Sequence, residues 1–290
     1  MVSAMSTPPA HAGAADQTAY WNGPGGRRWA ESEGAPEAVF APIAELLYAR
    51  ARPAPGERVV DVGCGCGATT IEIARRVGPA GRALGLDVSA PMIARAREQA
   101  GTTSAAEFVL ADATTHQLAP QWAELLFSRF GVMFFADPVL SFVNLRKGLA
   151  CGGRLVFACW REARRNPWQT IALKAACKHA PRLAEVGPED AGPFSFADEA
   201  RVLRILGEAG FDKIVLTPVE LELDVAAGRG LEAAVEMSQR IGAASRALEG
   251  QPEALRSAAV DEIRAALAPH RRGQSVPLGA AVWIVEALNP

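Results

Sequence analysis

Short apolar runs recur through the first half of the chain, at residues 58–62, 82–86, 107–110, 124–130 and 154–160. Each has the near-continuous hydrophobicity of a strand buried on both faces. The segments between them follow a helical period instead. Val39, Phe40, Ile43, Leu46 and Leu47 fall on one face of a helix predicted over 36–51, and further helices are predicted over 68–77, 89–100 and 138–149. Ser89 is the expected N-cap of the third of these, with Pro91 in its first turn. Strands that alternate with single helices form a parallel sheet with right-handed crossovers.

After residue 160 the pattern changes. Helical runs at 169–179 and 198–210 lead to a strand at 213–217, a long helical stretch over about 229–269, and a last apolar strand at 280–287. The two late strands would add an antiparallel hairpin to the sheet edge. The expected fold is therefore α/β: a doubly wound, mostly parallel seven-stranded sheet with a terminal antiparallel hairpin. A disordered tail (1–18) and a helical lid (19–55) precede one α/β domain (56–290), with helical insertions at about 161–197 and 225–275. Apolar positions in the second insertion, such as Leu231, Val235, Ile241, Leu248, Leu255, Val260, Ile263 and Leu267, suit core packing or a substrate lid more than a homodimer contact.

Composition narrows the function classes. Thirty Lys and Arg stand against 32 Asp and Glu, a net charge of −2, without the basic excess of a dedicated nucleic-acid binder. Residues 1–18 carry no apolar export core, and no apolar run reaches the ~18 residues a membrane-spanning helix needs. A cytoplasmic protein is expected. The five cysteines are odd in number and lack a repeated CxxC spacing, so they are read as reduced thiols rather than disulfides or metal ligands.

Chemistry concentrates where the first strand ends, in Asp61-Val62-Gly63-Cys64-Gly65-Cys66-Gly67-Ala68. Strand, glycine turn and helix make a nucleotide-binding unit. Gly63-x-Gly65-x-x-Ala68 fits a dinucleotide fingerprint, and Asp87 lies where a ribose-binding acid is expected. Two further acids change the ligand. Asp61 precedes the turn and Asp112 ends the third strand, so carboxylates collect where a pyrophosphate would be repelled. A ligand with an ammonium, ribose hydroxyls and an adenine amino group suits them better.

Residues 59–67, Gly85-Leu86-Asp87-Val88-Ser89, Ala111-Asp112-Ala113 and residues 127–135 together resemble the class I S-adenosylmethionine-dependent methyltransferases. The similarity is to the small-molecule branch that includes the ubiquinone/menaquinone-biosynthesis type. Tyr20-Trp21-Asn22-Gly23-Pro24, Cys159-Trp160 and Asn166-Pro167-Trp168 also look like signatures of a bacterial subgroup of that branch. The resemblance implies a Rossmann-like methyltransferase fold, S-adenosylmethionine as cofactor and a small-molecule methyl acceptor, and the Trp, Phe and Leu of the insertions point to an apolar or aromatic one.

It also implies residue roles. Asp61 and the backbone of Gly63, Cys64 and Gly65 would meet the methionyl part, Asp87 the ribose, and Val88 and Met92 the adenine faces. Asp112 and Ala113 would meet the adenine edge, and Ser128 and Arg129 the methyl-transfer side, with Tyr20 and Trp29 as an aromatic lid. If an acceptor must lose a proton, His116, four residues after Asp112, is the base to test. His179 and His270 sit on helical segments without an evident partner, and His11 lies in the tail. An NAD-dependent oxidoreductase and a non-catalytic cofactor-binding protein of the same fold are the alternatives. No Tyr-x-x-x-Lys pair supports the former, because Tyr20 and Tyr48 are the only tyrosines.

Overall fold

The computed structural model describes residues 14–290 apart from 33, 102–104, 184–186 and 188. Its strands are β1 (Arg58–Val62), β2 (Arg82–Asp87), β3 (Ala106–Leu110), β4 (Ala123–Arg129), β5 (Leu149–Trp160), β6 (Asp212–Asp224) and β7 (Pro277–Leu288). They form one sheet in the order β3-β2-β1-β4-β5-β7-β6. β1 pairs parallel with β2 and β4, β2 with β3, and β4 with β5. This explains the unbroken apolar runs: Val59, Val60, Leu125, Leu126 and Phe127 are all fully buried at the middle of the sheet.

The expected antiparallel pair closes the sheet edge, with the chain's last strand as its inner member. β7 is inserted between β5 and β6 and runs against both, so the last strand of the chain is an interior strand. Its interior position accounts for the apolar run from Ala280 to Val285. β6 holds the edge and runs to Asp224, past the expected end at 217, with apolar and polar residues alternating along its second half.

Helices α1 (Ala14–Asn22), α2 (Pro24–Ala30) and α3 (Ala35–Ala51) precede β1, and α4 (Ala68–Val77) and α5 (Ala90–Ala100) are crossovers. α6 (Pro138–Lys147) is capped by Asp137, whose side chain accepts the Leu140 N–H at 3.0 Å. α6 ends two residues short of the predicted 149, because Leu149 has joined β5 opposite buried Ala123. α7 (Pro167–Ala176) and α8 (Glu199–Glu208) follow.

The long helical stretch is three helices, α9 (Leu231–Arg240), α10 (Gly242–Leu248) and α11 (Glu253–Leu267), broken at extended Ile241 and before Pro252. α10 and α11 pack on α7. Val235, Ile241, Leu248, Ile263 and Leu267 are buried in the core, and Leu255 remains 40% exposed.

The tail expected over 1–18 is corrected at its end. Residues 14–18 belong to α1, while residues 1–13, with His11, lie outside the described residues. Among the described residues no helix is long and apolar enough to cross a membrane.

Candidate functional site

The strand order reverses between β1 and β4, and a cleft opens beyond the carboxyl ends of β1 to β4, the usual ligand position in such sheets. A cavity open to solvent, with about 1130 Å³ of empty space counting its mouth, fills it. Gly63 lines this cavity at a backbone φ of +70°, and a Cβ there would stand 2.5 Å from Gly131 Cα. The turns after β1 and β4 therefore touch through bare backbone, which only glycine at both positions permits.

Ten of the predicted site residues line this cavity: Trp29, Gly63, Cys64, Gly65, Asp87, Val88, Met92, Asp112, Ala113 and Arg129. The Asp87 carboxylate accepts the backbone N–H of Gly65 and of Ser89, each at 2.8 Å. Burial raises its pKa, and those backbone donors pull it back. Asp112 accepts the Thr114 N–H at 2.8 Å. Arg129 ion-pairs with Glu37 at 2.5 Å, with only 11% of its side chain exposed. Burial pulls the Arg129 pKa down, but the charge and hydrogen bond of Glu37, with Tyr48 and Asp61, together hold it above the usual arginine value. The cavity thus shows three carboxylates, Glu37, Asp87 and Asp112, against one guanidinium.

Asp61, Ser128, Tyr20 and His116 are placed elsewhere. Ser128 is buried beneath the turn, donating to Val62 O at 2.7 Å and accepting the Gly131 N–H at 3.1 Å. His116 lies outside the cavity, its carbonyl accepting from the Asn144 amide at 2.8 Å. Tyr20 lines a second, adjoining cavity. Asp61 is 1% exposed, and its Oδ2 accepts the Thr69 and Thr70 hydroxyls at 2.6 and 2.7 Å. Its Oδ1 is buried without a partner among the described residues. Of these two hydroxyl partners, Thr69 lines the cavity.

Burial lifts the Asp61 pKa to about 6, against the two threonine hydroxyls and Arg129. A carboxyl with a raised folded pKa favours the fold most when protonated in both states. That contribution is complete below about pH 4 and is lost as pH rises through about 6. Asp61→Asn, always neutral, lacks this loss. Its stability relative to the parent should rise by about 3 kcal/mol across that window. Urea midpoints at either end check this, and a difference that does not change with pH counts against it.

The cleft is roofed by the N-terminal segment. The Asn22 amide donates to Val88 O at 2.8 Å, while its Oδ1 accepts the Ala90 N–H at 2.9 Å, so a residue of α1 caps α5. Ser89, the expected cap, makes no capping bond and donates instead to Trp21 O at 2.6 Å. Gly26 makes the contact close: a Cβ there would lie 1.8 Å from Trp21 O. Trp21 packs edge-on to Phe134, with centroids 5.2 Å apart, and both line the cavity.

Glu37, Trp21, Thr69 and Phe134 escaped the sequence reading as site residues. Trp21 stood within a patch already singled out for its aromatics. Glu37 gave no local signal, because its partner is 92 residues away.

The five cysteines stand unpaired, and burial pushes the Cys66 thiol up to about 12. Among the described residues no cluster of His, Cys, Asp or Glu is placed to hold a metal ion.

Residues 59–153 match the family described as a methyltransferase domain. An aklanonic acid methyltransferase of Streptomyces sp. (strain C5) is 33% identical over 121 residues, 41% of this chain and 54% of that protein. A nocamycin O-methyltransferase of Saccharothrix syringae is 44% identical over 54 residues, 19% of each chain. The chain spans about half the length of the first of these relatives and less of the second. A solved Haemonchus contortus phosphoethanolamine N-methyltransferase 2, in complex with S-adenosylhomocysteine, superposes with a TM-score of 0.54 at 16% identity. It covers 88% of this chain and 56% of that one, a likeness of fold.

Proposed function

We propose, from a chain whose residues 59–153 form a class I S-adenosylmethionine-dependent methyltransferase domain, that it is a cytoplasmic enzyme methylating a small, apolar or aromatic acceptor. The observation that carries this reading is the charge of the cleft. Three carboxylates against one guanidinium suit a cationic nucleoside and oppose a pyrophosphate. Relatives named for aklanonic acid and nocamycin, both small molecules, support the acceptor class.

Asp87 would hold the ribose hydroxyls, and Asp112 with the Ala113 N–H the adenine edge, with Val88 and Met92 against its faces. Gly63 and Gly65 would let the methionyl part approach the backbone, beside Arg129. Arg129 is kept in place by Glu37, which ties α3 to the end of β4. When bound, S-adenosylmethionine supplies a methyl group activated by its sulfonium. The chain's own task is then to position the acceptor and exclude water, where orientation alone lowers a barrier by roughly 7–11 kcal/mol in the best cases. Trp21 and Trp29 roof the cleft for that purpose.

Among the described residues no histidine lines the cleft or the adjoining cavity, so His116 is left without a direct role as base. Transfer of isotopically labelled methyl from S-adenosylmethionine into extractable product, across a panel of aromatic acids, phenols and thiols, tests the reading. Cofactor binding without transfer to any acceptor favours a non-catalytic cofactor-binding protein.

A further inference from the structure

The cleft continues into a second cavity, with about 600 Å³ of empty space counting its opening to solvent. The two share Trp21, Trp29, Phe40, Phe130 and Phe134 as walls, so whatever fills the second lies against the contents of the first. Trp160 and Trp168 line its far side. Its rings brace one another. Phe130 stacks on Trp160 with centroids 4.1 Å apart and planes 10° apart, and Trp168 lies 4.9 Å from Trp160 and 5.3 Å from Phe40. Phe130 holds a left-handed backbone, φ +68°, a strained state for a bulky residue that the stack keeps in place. A box of fixed ring faces selects flat, aromatic contents.

Arg246 and Trp168 add two donors to this largely apolar wall, beside the Tyr20 hydroxyl and the Gln169 amide. Arg246 of α10 lines it half-buried, with no ion pair or side-chain hydrogen bond among the described residues. The nearest carboxylate along the chain, Glu249, is held by Arg28 at 3.1 Å. Trp168, also in the wall, has a buried Nε1–H without a partner among the described residues. A plain hydrocarbon would leave both donors desolvated and unmatched, an unfavourable arrangement that an oxyanion relieves. A guanidinium meets a carboxylate through two parallel bonds, better than it meets a single oxygen.

We propose that this second cavity is the acceptor site and takes a planar aromatic carboxylate, with Arg246 as the residue that selects the acid. The proposal rests on the methyl-transfer reading for its purpose, but its ligand chemistry stands on the cavity alone.

Four tryptophans line the cavity, so quenching of their fluorescence reports occupancy. The full chain is titrated with 2-naphthoate and with neutral 2-naphthamide, each with and without saturating S-adenosylhomocysteine. The acid should bind about tenfold tighter than the amide, and Arg246→Gln should remove most of that preference while leaving the affinity for S-adenosylhomocysteine unchanged. Trp168→Phe, which keeps a ring and deletes the N–H, should weaken the acid by about threefold and the amide less.

Equal affinity for acid and amide in the parent chain overturns the proposal, as does a preference that survives Arg246→Gln. Failure of S-adenosylhomocysteine to bind overturns the methyl-transfer reading instead, while an Arg246-dependent preference for the acid would still support the anion site.

Discussion

Asp87→Ala is expected to weaken S-adenosylmethionine binding by roughly a hundredfold or more, the loss of two hydrogen bonds to a charged acceptor. The carboxylate has two tasks. It lines the cleft at the end of β2, and it holds the glycine turn by accepting from Gly65 and Ser89 at 2.8 Å each. Removing it would take away the ribose partner proposed for the cofactor, and it leaves two backbone donors without their acceptor. Asp87→Asn keeps one acceptor oxygen and should lose roughly tenfold. Calorimetric titration of each folded variant checks the order: parent, then Asn, then Ala. An Ala variant that binds as the parent does would remove Asp87 from the site.

Gly63→Ala should lower both stability and cofactor affinity. A non-glycine residue at left-handed φ costs about 1–2 kcal/mol. Here the added methyl also meets Gly131 Cα at 2.5 Å, and both partners are backbone, so the turns after β1 and β4 must separate. Together these amount to about 2–4 kcal/mol, or roughly 5–10 °C in melting temperature. Gly152→Ala separates the two causes, because Gly152 has φ +73° with nothing within 4 Å of its added Cβ. It should cost only the conformational part and leave cofactor binding intact. Equal losses in the two variants would show that the close approach of the turns is unimportant.

What could be read from the sequence was what local pattern determines. Val59, Val60 and Val62 announced the central strand, and the glycines after them announced the turn, because burial on both faces and left-handed backbone each restrict residue type. Asp87 and Asp112 were visible because strand ends in such sheets are the ligand side. What stayed hidden depends on contacts between distant residues.

Ser89 has the ordinary signature of an N-cap, yet Asn22 from 68 residues away takes the Ala90 N–H and frees the serine to hold Trp21. Asp61 reads as a ligand contact because its position in the motif is right. Only the fold brings Thr69 and Thr70 onto its oxygen and buries it beneath the turn. Likewise no local signal places β7 between β5 and β6, since an apolar strand looks the same at either position.

A cleft lined by three carboxylates and one guanidinium should take a cationic nucleoside rather than a dinucleotide. Calorimetric titration of the full chain with S-adenosylmethionine, and separately with NADH, distinguishes the two. One S-adenosylmethionine should bind per chain at micromolar affinity while NADH gives no saturable heat. Saturable NADH binding with no binding of S-adenosylmethionine would contradict it.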